Sequence, residues 1–166
     1  MFFRFISYLN FLRHSTNQHD VHSPFVYNYV TNCLYQKPKK SKKKCLNVLL
    51  KSIEYFKFKK VKIHENDEYK SKIKLQFSDL IWDSSKIDLM YFKSTKYTNP
   101  TELLKDVEIN NGTLLFFDNI YRSPEEHFYW KNFVHWNKAT VTIDLYYCGL
   151  VFLRKEQAKE HFTIRI

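Results

Sequence analysis

Polar and charged side chains follow three apolar runs of the sequence, each at the point where the run ends. The three polar segments are His64-Glu65-Asn66-Asp67, Lys93-Ser94-Thr95 and Asp118-Asn119-Ile120-Tyr121. If the apolar runs are parallel strands, these segments lie at their carboxyl ends, where open α/β sheets bind ligands. The carboxylate, amide and ammonium groups of these segments are therefore the first candidates for a ligand-binding site.

The composition excludes several common kinds of active site. The chain of 166 residues has only 2 glycines, Gly112 and Gly149, where average usage of about 7% gives roughly 12. Neither a Gly-rich phosphate loop nor a Gly-x-Ser-x-Gly nucleophile elbow is present. The three cysteines form no C-x-x-C pair, which indicates reduced thiols in a cytosolic protein; they are Cys33, Cys45 and Cys148.

Three histidines near the N-terminus are close enough in sequence to be considered as metal ligands. His14, His19 and His22 lie within nine residues. Their spacing is not a helical i, i+4 pair, and no cysteine or acid completes a ligand set. We therefore expect loop histidines that pack under the helix beginning at Pro24.

Helix caps and hydrophobic periodicity predict the elements that position these residues. Ser23, Asn99 and Ser123 each precede a proline, which predicts helices over 24–35, 100–108 and 124–136. Ser123 and Glu126 also form a capping-box pattern. Apolar spacing predicts a further helix over 46–57. Strand-like runs cover 60–64, 73–77, 87–92 and 113–117.

The order of these elements predicts the fold class. The runs at 87–92 and 113–117 are almost continuously apolar, as in strands buried on both faces of a parallel sheet. Runs at 140–147, 150–154 and 161–166 follow one another with short connections, which predicts antiparallel strands. We expect one α/β domain over 1–166 with a Rossmann-like, mostly parallel sheet and an antiparallel C-terminal edge. Its parts are a helical segment (1–36), a Lys-rich loop (37–45) and a core (46–166).

The first thirteen residues have apolar side chains at helical spacing, namely Phe2, Phe5, Ile6, Leu9 and Leu12. The segment lacks the apolar core and cleavage site of a signal peptide. Additional aromatic residues widen the apolar face, which favours packing on the domain over lying on a membrane surface. No apolar run of the sequence is long enough to span a bilayer.

The positive charge is concentrated in one stretch. Residues 37–74 contain 14 lysines and 4 acidic residues, so this stretch carries the whole formal net charge of +10. Two interpretations remain open: a patch for nucleic acid or another anionic surface, and a solvated Lys-rich loop without a partner. The first uses the densest lysines, which are Lys37, Lys39, Lys40, Lys42, Lys43 and Lys44.

Four segments resemble one family. LLFFDNIYRSPEE (114–126) looks like the fifth strand and following loop of class I S-adenosylmethionine-dependent methyltransferases, in which metal-dependent O-methyltransferases carry an acidic pair. KIDLMYFK (86–93) resembles the preceding strand. VTIDLYYCGLVFLRKEQ (141–157) and HDVHSPFV (19–26) resemble the final strands and an N-terminal motif of a bacterial group of these enzymes. The resemblance implies a Rossmann-like methyltransferase fold, reduced in size.

The departures from the family concern the cofactor and a metal. The family's first strand runs into a Glu/Asp-x-Gly-x-x-x-Gly loop, but KIHENDE (62–68) has no glycine and leaves only Glu65 and Asp67 as vestigial cofactor residues. The resemblance also implies that the following helix and the ribose-binding strand are missing from the short chain. Asp118 and Asn119 match two metal ligands, and Lys93 replaces the third. An ammonium beside Asp118 would take over the cation's role; alternatively, Asp118 orients the loop before Ser123.

Three functional hypotheses follow. The resemblance with its departures implies a degenerate, non-catalytic cytoplasmic methyltransferase relative that acts by binding, with no cofactor and possible protein partners. The first alternative is an active S-adenosylmethionine-dependent methyltransferase with an atypical site at Glu65, Asp118, Asn119 and Tyr121. The second is a nucleic-acid-binding module that uses the basic 37–74 segment, whose affinity falls steeply with salt.

Overall fold

A seven-stranded mixed sheet organises the chain. A computed structural model describes residues 2–96, 100–105 and 107–166. The strands are β1 (Lys60–Ile63), β2 (Ile81–Trp82), β3 (Lys86–Phe92), β4 (Glu108–Asp118), β5 (Val141–Asp144), β6 (Cys148–Phe152) and β7 (Glu160–Thr163). The spatial order is β2-β1-β3-β4-β6-β5-β7, and β6 is antiparallel to both of its neighbours while the other pairings are parallel. This confirms the α/β class with a mostly parallel sheet. The outermost strand β7 is parallel to β5, so antiparallel pairing is confined to β6.

Six α-helices accompany the described strands. They are α1 (Phe2–His14), α2 (Pro24–Tyr29), α3 (Lys44–Tyr55), α4 (Asp67–Gln76), α5 (Pro100–Leu103) and α6 (Pro124–His135). A π-helical turn, Val30–Leu34, extends α2, so the helix predicted over 24–35 is confirmed together with those at 46–57 and 124–136. Helix α5 is shorter than predicted, because Glu108 already belongs to β4, where it pairs with Lys86.

The serine caps form as predicted. Ser23 Oγ accepts a hydrogen bond from Val26 N at 3.4 Å, and Ser123 Oγ accepts one from Glu126 N at 3.1 Å. The capping box stays half formed, because the buried Glu126 carboxylate accepts hydrogen bonds from the Thr95 backbone N–H and hydroxyl instead, both at 2.6 Å. The predicted cap Asn99 lies outside the described residues.

The strand predicted over 73–77 is wrong. Asn66 Oδ1 accepts a hydrogen bond from Tyr69 N at 3.1 Å and so begins α4. Tyr69 and Ile73, four residues apart, then lie on one face of this helix and are buried. Helix α4 and the two-residue strand β2 fill the place where the resemblance implied a missing helix and strand, so that expectation is also wrong.

The central strands β3 and β4 are buried on both faces, as their apolar sequences predict. On one face Tyr91 and Phe116 lie in the larger hydrophobic core, which α2, α3 and α4 cover. On the other face Phe92 and Phe117 stack with ring centroids 4.9 Å apart, in the core that α6 covers. The alternation of side chains along a strand therefore separates two cores.

Helix α1 packs on the domain with the face that the sequence analysis treated as secondary. Phe11 is buried, and the Tyr146 hydroxyl donates a hydrogen bond to Arg4 O at 2.6 Å. Phe2, Phe5 and Leu9, which belong to the predicted apolar stripe, are exposed. Among the described residues, no helix has both the length and the apolar character needed to cross a bilayer.

Gly149 on β6 allows α6 to approach the sheet, and we expect Gly149→Ala to destabilise the protein. A Cβ atom at this position would lie 2.5 Å from Trp130 Cζ3, and the buried Trp130 cannot move into solvent. The expected loss of unfolding free energy is about 1–3 kcal/mol, measured by urea denaturation. Gly112→Ala is the control, because its Cβ would meet only Asn110 Oδ1 at 3.3 Å. Equal stability of the two variants would contradict the close approach.

Candidate functional site

The carboxyl ends of β1, β3 and β4 meet at one edge of the sheet, as the sequence analysis expected. Ile63 pairs with Tyr91, and Tyr91 pairs with Phe116. The strand ends are therefore adjacent. We call this region the carboxyl edge. It places Asp118, at the end of β4, beside the Tyr91 hydroxyl.

A hydrogen-bond chain connects the carboxyl edge. The Tyr91 hydroxyl donates to Asp118 Oδ2 at 2.7 Å and accepts from Asn66 Nδ2 at 2.8 Å. Asn66 also caps α4, so the chain runs from the helix start to the end of β4. Asp118 is 4% exposed, and its Oδ1 is buried without a hydrogen-bond partner. The hydrogen bond that this carboxylate accepts thus comes from a neutral hydroxyl.

Buried thiol and phenol groups line the same region. Burial, then Cys148 and Asp118, raise the pKa of the Cys45 thiol well above its usual value. Burial and the Asp118 charge likewise raise the pKa of the Tyr91 hydroxyl. Both groups therefore stay protonated at neutral pH, where they can donate but cannot act as bases or nucleophiles.

The expected pair between Lys93 and Asp118 is not formed. No ion pair joins the two residues within 2–96 and 107–166, and Lys93 is exposed. Strand β3 ends at Phe92, and the chain bends at Lys93, whose carbonyl accepts a hydrogen bond from Arg122 at 3.0 Å. Tyr91 supplies the partner of Asp118 in its place.

Tyr121 belongs to a second acid–phenol pair that the sequence analysis missed. Its hydroxyl donates to Asp144 Oδ2 at 2.7 Å, at the end of β5. Burial raises the pKa of Asp144 to about 6, although the hydrogen bonds from Tyr121 and Tyr146 N lower it. The alternating run around residues 140–147 showed a strand but gave no sign that the side chain of Asp144 is buried.

Three residues that follow strand ends adopt left-handed backbone conformations. Glu65, Asp83 and Asn119 have φ angles of 54°, 54° and 49°. This conformation favours glycine, which the chain lacks at all three positions. Strain of this kind is often retained at ligand sites. Asp83, at the end of β2, was also missed; it forms an ion pair with Lys70 at 3.4 Å.

The segment that matches the cofactor loop, residues 62–68, presents side chains where the family has glycines. The His64 ring stacks on Phe92 at 5.2 Å, and burial lowers the pKa of His64. Glu65 and Asp67 are exposed, and neither forms an ion pair within the described ranges. Glu65 and Asp67, which the resemblance marks as vestigial cofactor residues, thus place their carboxylates in solvent.

The six lysines of the Lys-rich loop have different environments. Lys40 forms an ion pair with Glu54 at 2.9 Å, and Lys43 forms one with Glu68 at 2.7 Å. Lys44 Nζ lies 4.3 Å from the centre of the Tyr147 ring. The other three lysines are exposed and have no ion pair in the part of the chain that the structure describes; they are Lys37, Lys39 and Lys42.

The three N-terminal histidines do not converge. His14 Nδ1 contacts Asn10 O at 2.8 Å, and His19 contacts the neighbouring Gln18 side chain at 3.2 Å. Within the described ranges, no group of three or more His, Cys, Asp or Glu residues is arranged to hold a metal ion. Asp118 and Asn119 follow each other in sequence, but their surroundings supply no third ligand.

Comparisons of this chain with protein-family models, curated proteins and solved structures found no match.

We expect Tyr91→Phe to destabilise the protein by about 1–3 kcal/mol, because the buried Asp118 would lose its hydrogen-bond donor. The phenyl ring would keep its packing against Phe116. Tyr35→Phe is a matched control, since its hydroxyl bonds Arg165 O at 2.9 Å in an exposed setting. Chemical denaturation of both variants measures the difference. Equally small losses of unfolding free energy in both variants would mean that the Tyr91 hydroxyl does not stabilise the buried Asp118.

We expect the stability of Asp144→Asn relative to wild type to increase as the pH rises from about 4 to 6. The raised pKa means that the folded state binds a proton more tightly than the unfolded state, so ionisation of Asp144 costs stability as pH rises from about 4 to 6. The gain of the variant should grow over that window to at most about 3 kcal/mol. Unfolding free energies at several pH values, each compared with wild type, isolate this effect from the other titratable groups.

Asp79→Asn serves as the control for this pH series. The Lys59 ammonium lowers the pKa of the exposed Asp79 carboxyl, so its pH effect should be small and opposite in sign. A pH-independent difference between Asp144→Asn and wild type would contradict the raised pKa of Asp144.

Proposed function

We propose that the chain is a methyltransferase-type Rossmann-like domain that does not transfer methyl groups and acts by binding. The fold supports the first part. In this sheet β6 is inserted antiparallel between β4 and β5, which agrees with the antiparallel final strands that the resemblance implies. The parallel order β2-β1-β3-β4 precedes it, with α4 between β1 and β2.

The hydrogen-bond chain Asn66–Tyr91–Asp118 is the observation that carries the second part. It lies at the carboxyl edge, where a doubly wound fold holds its cofactor. Hydrogen bonds between side chains at this edge use the polar groups that a cofactor or a metal would need to contact. The residues therefore fit neither S-adenosylmethionine nor a divalent cation well: no glycine lets the backbone approach the cofactor, and no third oxygen ligand accompanies Asp118 and Asn119.

The active alternative needs four residues to act together. Glu65 is exposed, Tyr121 donates to Asp144, and Asn119 is held through its backbone N–H to Tyr147 O at 2.8 Å. The unpartnered Oδ1 of Asp118 is the observation that favours this alternative, because a ligand donor could satisfy it. Binding of the methyl donor distinguishes the two hypotheses.

We expect thermal unfolding of the protein to be cooperative and unaffected by excess S-adenosylmethionine or its demethylated product. A ligand present at 100 times its dissociation constant would stabilise the fold by about 2.7 kcal/mol, which raises Tm by about 5–10 °C for a chain of this size. Such a shift would contradict the proposal. If it occurs, its loss in Asp118→Asn, with retention in Asp79→Asn, would place the ligand at the carboxyl edge.

A further inference from the structure

A cavity beside the Lys-rich loop has an unusual lining. It lies between the π-helical turn after α2 and the start of α3, and has a volume of about 250 Å³. Five lysines line it and no acidic residue does; the lysines are Lys37, Lys39, Lys42, Lys44 and Lys51. This volume is slightly below the usual range for ligand pockets, about 300–1,000 Å³, so the cavity suits a small anion-bearing molecule better than a dinucleotide.

The burial of Lys51 distinguishes this cavity from an ordinary basic surface. The residue lies on α3 and is only 5% exposed. Its ammonium donates to Leu34 O at 2.9 Å and to Gln36 O, and no carboxylate of the described residues lies within 4 Å of it. Two carbonyl dipoles do not neutralise a buried charge, which is costly unless it is paired.

The pKa shift and the hydrogen bonds of Lys51 are those of an ammonium group without a counter-ion. Burial lowers the pKa of Lys51, as do the nearby Lys39 and Lys40 charges, whereas Cys33 raises it. Two of the three ammonium N–H groups have acceptors. An anion in the cavity would accept from the third and would offset the repulsion among the lysines.

The start of α3 lies beside the cavity, and its first residue Lys44 belongs to the lining. Its N-cap residue Lys43 provides no side-chain cap, and the first turn contains no acidic residue. The backbone N–H groups of Cys45 and Leu46 have no acceptor within the described ranges. Ser41 and Asn47, which flank this helix start, line the cavity. Uncapped helix N-termini attract anions, phosphates above all.

The partners of the remaining lysines argue against a nucleic-acid strip. Lys40 and Lys43 are neutralised by Glu54 and Glu68. The buried Lys51 contributes to the wall of a concave site, where the backbone of a polymer lying on the surface has poor access. The lining also includes Leu34 and Ile166, which provide apolar area for a short carbon skeleton.

We propose that this cavity binds the phosphate group of a small phosphorylated ligand, with Lys51 as its buried cation. The cavity adjoins the carboxyl edge through the start of α3, but its lining does not include Asn66, Tyr91 or Asp118. The inference therefore does not depend on the loss of methyl transfer. The same chemistry could be supplied by free inorganic phosphate or by a phosphomonoester.

Isothermal titration calorimetry of the full chain tests this inference, with inorganic phosphate and glycerol 3-phosphate as probes and sodium chloride of equal ionic strength as the blank. We expect saturable binding of one phosphate group per chain. Tighter binding of the ester would assign the site to a phosphorylated metabolite, and equal binding to free phosphate. No saturable binding of either probe at millimolar concentration would overturn the proposal.

Lys51→Met is the main variant, and we expect it to weaken phosphate binding at least tenfold. Lys159→Met is the matched control, because Lys159 Nζ also donates to two backbone carbonyls, those of His135 and Trp136, at 3.1 and 2.8 Å, but lies outside this cavity. If Lys51→Met does not fold, the double variant of the exposed lysines, Lys39→Gln with Lys42→Gln, should show the same loss. Unchanged binding in a folded Lys51→Met protein would overturn the assignment.

A single-stranded oligonucleotide without terminal phosphates provides the last arm. Binding that falls steeply with salt, persists in Lys51→Met and is not displaced by inorganic phosphate would point to a surface strip for nucleic acid and against the cavity. Displacement of phosphate only by molecules with a terminal phosphate would support the cavity.

Discussion

The parallel pairing of β3 with β4 is the constraint on which the rest of the structure depends. Both strands are apolar on both faces, so each face needs its own cover. Helices α2, α3 and α4 pack on the face that carries Tyr91 and Phe116. Helix α6 packs on the opposite face, which carries Phe92 and Phe117. Because buried strands exclude polar side chains from their interior, the groups that could do chemistry are confined to the strand ends.

At those strand ends the buried acids are paired with phenols, and this pairing limits the chemistry. Asp118 accepts from Tyr91, and Asp144 accepts from Tyr121, each at 2.7 Å. A phenol whose pKa is raised by burial keeps its proton, so these pairs orient carboxylates without creating a nucleophile. A cation at the same place would have favoured ionised acids and a charged ligand. The carboxyl edge therefore has the position of a ligand-binding site in the fold, but its acid–phenol pairs provide no nucleophile.

The sequence predicted those features that depend on local rules. Ser23 and Ser123 are caps because an oxygen one residue before a proline satisfies a free N–H, whatever the tertiary structure is. The prediction of a strand over 73–77 was wrong because Ile73 is buried with Tyr69 on one face of a helix. Five residues of alternating pattern do not separate a helix from a strand. The partner of Asp118 was not predictable either. Tyr91 and Lys93 are only two residues apart in the sequence, so either could have been the partner of Asp118. The chain bends after Phe92, and Tyr91 forms the hydrogen bond.

The distribution of lysine charge was visible in the sequence, but its use was not. Three lysines of the loop hold it to the rest of the domain: Lys40 contacts α3, Lys43 contacts α4, and Lys44 lies over the Tyr147 ring near the carboxyl edge. With the loop anchored in this way, Lys37, Lys39 and Lys42 project around the buried Lys51 and have no acid between them. An ammonium group that is buried at the wall of a cavity without a carboxylate partner costs stability. Under the phosphate-binding proposal, a bound anion would offset that cost.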